Sequence, residues 1–83
     1  MSHERASVEK LKVRAEAHLY AGETFTDIAE KLLELMKPVG ERERLAALAC
    51  RSILIQVGQS ELTVAQTLCD IAEAEQAKEA ATC

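Results

Sequence analysis

Three cysteines, two histidines and fourteen carboxylates are the side chains of this 83-residue sequence that could do chemistry. Cys50 and Cys69 flank the stretch Gln59–Ser60. If the chain folds back there, the two thiols reach the same level and could form a redox pair or half of a metal site. Zinc wants about four ligands at close, characteristic spacings. No Cys-x-x-Cys occurs, and His3 and His18 are distant in sequence from both thiols. Free cysteine most often behaves as a small buried apolar residue, which is the expectation for this pair; Cys83 is expected to be exposed. His18 could serve as a base, since imidazole titrates near neutral pH. A base needs a nucleophile or a substrate pocket, and no Ser-His-Asp or Cys-His set assembles around it. It reads as an edge histidine at an interface. The pairs Glu30/Glu34 and Glu75/Glu79 have helix-surface spacing, without the inward Glu-x-x-His of metal-binding bundles. The three glycines are isolated, so no loop cradles a phosphate. The expectation is a non-enzyme with no catalytic residue, no cofactor and no metal.

Composition bounds the elements that could position such groups. The chain is 48% hydrophobic but only 2% aromatic, and alanine supplies much of the apolar count, so its core must be shallow and close-packed. Small domains of this kind often complete their cores by oligomerising. Net charge is −4, which leaves no electrostatic footprint for nucleic acid or anionic lipid. Residues 1–22 carry four basic and three acidic side chains, whereas residues 60–83 carry one basic and five acidic, so the second half offers a mildly negative face. The first residues lack an apolar leader and no run reaches the roughly 18 apolar residues of a membrane span. The expected compartment is the cytoplasm, with reduced thiols.

Periodicity and end signals predict an all-α fold. Four short helices, about 4–20, 25–37, 41–57 and 63–79, surround a central hydrophobic third helix, and a frayed tail covers 80–83. Gly22 closes the first helix and Gly58 the third, each as a left-handed cap. Thr24 and Thr63 are N-caps of the second and fourth, each followed three residues later by a capping-box partner, Asp27 or Gln66. Phe25, Ile28, Ala29, Leu32, Leu33 and Met36 form a full amphipathic series, ended by Pro38 and Gly40. The run Arg44–Gln59 is apolar on most of its circumference and must be covered on more than one side. The echo of Asp27-Ile28-Ala29-Glu30 in Asp70-Ile71-Ala72-Glu73 is read as chance recurrence rather than a duplication.

Phe25-Thr26-Asp27-Ile28-Ala29-Glu30-Lys31-Leu32 resembles the first helix of a helix-turn-helix motif, with Ala29 at the small position. The resemblance implies a DNA-binding transcriptional regulator. It lapses downstream: Leu33 stands where a turn glycine is usual, and the next helix opens Glu-Arg-Glu-Arg with no net positive charge.

The leading expectation is a non-enzymatic regulator that binds another protein, a small antagonist or adaptor of nucleic-acid-handling or regulatory machinery; DNA binding is the alternative. A homodimer is expected, because two apolar strips exceed what three short neighbours bury. These are Val13, Ala17 and Tyr20 on the first helix, and Leu48 with Ile55 on the third. The acidic side of the last helix, Asp70, Glu73 and Glu75, is the expected contact for a basic partner surface.

Overall fold

The computed structural model describes residues 2–82, with side-chain surroundings for residues 7–81. Helix α1 runs Ser2–Met36 and helix α2 runs Glu41–Thr82. They lie antiparallel as one hairpin, 65 × 14 × 13 Å. The expectation of four short helices around a central third is therefore corrected. The first two expected helices are one element, and so are the last two. Of the tail expected at 80–83, residues 80–82 lie within α2, while Cys83 lies outside the described residues.

The turn is where the sequence placed it. The Lys37 amide still donates to the Leu33 carbonyl at 3.1 Å, which completes the last turn of α1. Lys37 itself stands at a φ of 45°, and Gly40 at 94°. Pro38 disfavours the right-handed region for the residue before it, and the chain leaves α1 through a left-handed lysine rather than an extended one. On the far side, Arg44 N–H donates to the Gly40 carbonyl at 3.1 Å. Val39 N–H donates to Glu43 Oε2 at 3.0 Å, which satisfies an amide that has no helical partner.

The stop signals at Gly22 and Gly58, and the start signals at Thr24 and Thr63, do not act as such. Each threonine has turned its hydroxyl back along the helix: Thr24 Oγ1 donates to the Tyr20 carbonyl at 2.8 Å and Thr63 Oγ1 to the Gln59 carbonyl at 3.0 Å. This i−4 pattern satisfies the side chain inside a continuous helix. The glycines are buried at the contact between helices. A β-carbon on Gly22 would lie 2.9 Å from the Gly58 carbonyl oxygen and 2.7 Å from the Leu62 side chain. Interior glycine costs a helix about 1 kcal/mol relative to alanine. Here its missing side chain lets two backbones meet, and the packing gained along both long helices offsets that cost.

The contact follows a seven-residue rhythm. Val8, Ala15, Gly22 and Ala29 on α1, and Gly58, Ala65 and Ala72 on α2, are all buried and recur every seventh residue. A strict seven-residue repeat keeps one seam facing a neighbouring helix. Interleaved with it run larger residues, all half-buried: Leu11, His18, Phe25 and Leu32 on α1, and Leu54, Glu61, Leu68 and Glu75 on α2. Among the described residues no large side chain is fully buried. The radius of gyration is 18.7 Å, against about 12 Å for a compact domain of this length.

Candidate interaction faces of the hairpin

The small-residue row and the large-residue row lie side by side, so the hairpin has two unlike faces. On the first, side chains fold over the small row. Leu62 lies against Gly22, and Thr26 Oγ1 lies 3.0 Å from where a Gly58 β-carbon would be. Leu33, Ile55 and Leu62 are half-buried as a result. Most of this face covers itself, while Leu19 and Leu48 stand exposed on it. On the second, the large row forms a floor with nothing above it. Leu11 and Arg14 of α1 share its shallow trough with Ile71 and Glu75 of α2. The rims of this open face carry exposed apolar side chains: Ile28 and Leu35 on α1, Val57, Val64 and Ile71 on α2.

One polar pair crosses the open floor at mid-length. His18 Nδ1 and Glu61 Oε2 meet at 2.5 Å, the imidazole donating, with side chains 36% and 29% exposed. The carboxylate fixes one ring nitrogen and thereby the ring's orientation. The neighbours about two turns away along the floor are Leu11 and Phe25 on α1 and Leu54 and Leu68 on α2, apolar groups rather than nucleophiles. The arrangement holds a hydrogen-bonded polar pair on the open floor. His18 was expected at an interface edge; its partner Glu61, which no sequence motif marked, is 43 positions away and becomes visible only through the seven-residue rhythm.

Cys50 and Cys69 do not reach a common level. Both sit on α2, nineteen positions apart and so about 28 Å apart along the axis. Both are exposed rather than buried. The fold-back expected near Gln59–Ser60 is continuous helix, and the thiols point from different rims. Among the described residues no three His, Cys, Asp or Glu side chains are placed to hold a metal ion.

The residues expected to make contacts are dispersed. Val13 and Tyr20 are exposed on the outward side of α1, and Ala17 is exposed beside them. Leu48 is exposed at 38% and Ile55 half-buried, both on the face that mostly covers itself. Asp70 accepts a hydrogen bond from Gln66 Nε2 at 2.9 Å, and Glu73 is exposed near it. Glu75 lies instead in the large row, 3.8 Å from Lys78 Nζ, so the three acids are not one patch. A longer acidic row was missed: Glu9, Glu16, Glu23 and Glu30 recur every seven residues along one exposed edge of α1. The spacing was legible once the seam's period was known.

The segment resembling a helix-turn-helix, Phe25–Leu32, lies inside α1, which runs unbroken to Met36. No turn follows Ala29, so these residues do not build that motif. The repeated Asp-Ile-Ala-Glu has a packing meaning: Ala29 and Ala72 are both buried in the seam, and Ile28 and Ile71 both stand on the open rim. The two copies occupy the same phase of one repeat on opposite helices.

No family model, curated protein or solved structure matches this chain. Among the described residues no helix is long and apolar enough to cross a membrane.

Proposed function

We propose that this chain is a non-enzymatic protein-binding regulator of the cytoplasm, an antagonist or adaptor that works by presenting helix faces to another protein. One observation carries the reading: large apolar side chains stand exposed along the length of the hairpin, at both its faces. Apolar surface of this extent is what protein interfaces are made from. The acidic row of α1 gives the hairpin a negative edge. A basic partner surface suits that edge, including one that ordinarily meets nucleic acid.

The test is capture on the immobilised chain from a lysate of its native host, with mass spectrometry. A parallel capture uses Glu16→Lys, Glu23→Lys and Glu30→Lys together. A specific partner should be retained by the first and lost by the second while circular dichroism stays helical. Equal capture by both removes the acidic edge from the reading. Retention of the unmodified chain on DNA or heparin at low salt, despite its negative charge, would replace the reading with nucleic-acid binding.

A further inference from the structure

We propose that the open face is the seat of a second copy of this chain, docked antiparallel with α2 against α2 so that two hairpins close into a four-helix bundle. This deepens the proposed function and rests on its premise that the hairpin works through protein contacts; it names the first of those contacts and its register.

Area is the first argument. The chain exposes 6520 Å². A compact monomer of its mass exposes about 4,900 Å², which leaves an excess of roughly 1,600 Å² per chain. Burying that excess on each of two copies gives an interface of the size found in obligate dimers. The open face supplies part of it, through its uncovered floor and the exposed Ile28, Leu35, Val57, Val64 and Ile71 on its rims. Its floor and rims run from Leu11 to Leu35 along α1, about 36 Å, and are apolar except for Arg14, His18, Glu61 and Glu75. Only an occupant with an equally long apolar face covers such a strip, and a second hairpin has one by construction.

Register is the second argument. The α2 rim reads Glu43, Cys50, Val57, Val64, Ile71, Lys78 at seven-residue intervals. The row has the same character read in either direction about a centre between residues 60 and 61. A two-fold axis there sets Val57 against Val64, Cys50 against Ile71, and Glu43 against Lys78. Apolar side chains meet in the middle and opposite charges meet at the ends, which favours this register over a slipped one. On the α1 floor Leu11 and Leu32 exchange about a centre between Ala21 and Gly22, with His18 set against Phe25. Gly22 faces Gly58, so the two centres agree in height to within about 3 Å. One axis therefore serves both helices. His18 and Glu61 lie close to it, already bonded to each other, so the polar groups at the centre go under cover with a partner in place.

A cross-link tests the register directly. The chain carries C69S, C83S and I71C, with Cys50 retained. Within one chain, positions 50 and 71 are separated by 21 residues of α2, about 31 Å, and a disulfide needs α-carbons within about 7 Å. Any bond between them must join two chains. On mild oxidation at tens of micromolar, most chains should become covalent dimers that remain fully helical. Replacing I71C by T63C, on the outer side of α2, should leave most chains uncross-linked. The unmodified chain, reduced, should scatter light with twice the chain mass. A monomer in that measurement overturns the proposal without any variant. A dimer whose 50–71 cross-link does not exceed the T63C control overturns it too, while leaving self-association standing.

Discussion

Gly22 and Gly58 face each other across the hairpin, so close that a β-carbon on the first would sit 2.9 Å from the carbonyl oxygen of the second. The approach is not symmetrical. A β-carbon on Gly58 would meet Thr26 Oγ1 at 3.0 Å, the Gly22 carbonyl at 3.1 Å and the Phe25 β-carbon at 3.4 Å. This is tight contact, but looser than on the other side.

Gly22→Ala and Gly58→Ala should therefore differ. Each gains about 1 kcal/mol of helix propensity. At position 22 the added methyl group must push Leu62 aside and press on backbone, an overpacking cost of about 1–3 kcal/mol. The urea midpoint of Gly22→Ala should fall below that of Gly58→Ala by at least the equivalent of about 1 kcal/mol. Equal midpoints would mean the helices are not this close at the crossing.

The turn should respond to glycine in opposite senses at its two ends. Lys37 holds a left-handed conformation that costs a side-chain-bearing residue about 1–2 kcal/mol. Lys37→Gly should stabilise the hairpin by about 0.5–1 kcal/mol, part of the relief being offset by a freer unfolded chain. Gly40, at a φ of 94°, has open space around it, so Gly40→Ala should destabilise through backbone strain alone, by about 1–2 kcal/mol. Thermal denaturation of both variants reads the two signs.

The His18–Glu61 pair is half-exposed and sits on an apolar floor. Glu61→Ala should lower stability by about 1 kcal/mol, because the ring nitrogen loses its acceptor and the floor loses a side chain. Replacing both members by leucine should recover that loss and exceed it, since apolar pairs can outperform partly buried ionic ones. The double variant should be more stable than either single variant by denaturant unfolding. A double variant less stable than both would mean that the polar pair contributes more than its bond.

Ala29 has no exposed surface, whereas Ala17 is exposed on the outer side of α1. Ala29→Leu should force the helices apart and cost about 1–3 kcal/mol or more. Ala17→Leu, at a site with room and with similar helix propensity, should change stability by less than about 0.5 kcal/mol. Urea unfolding of both tests whether the small row is a packing requirement or only a compositional habit.

Much of the secondary structure was legible in residue order. Pro38 and Gly40 announce a break, and Phe25 to Met36 announce the amphipathic helix that precedes it. The misreadings at Gly22, Thr24, Gly58 and Thr63 share one cause. A glycine followed within a few residues by a threonine carries the same local signal whether the helix stops there or another helix presses against it. The choice depends on a residue about 36 positions away. His18 and Glu61 likewise cannot be matched from local spacing, because each looks like an ordinary surface residue within its own helix.

By itself, the sequence determined that this chain is helical, that it breaks at Pro38–Gly40, and that its apolar surface outruns what so small a domain can hide. These follow from periodicity, proline geometry and composition, which are properties of neighbours in the chain. Only the tertiary structure decided that Gly22 and Gly58 join helices rather than end them, and that Cys50 and Cys69 stand apart on one element. It also decided which face stays open. The reason is physical: alternative caps and alternative packings differ little in local free energy, and contact between the two long helices selects among them.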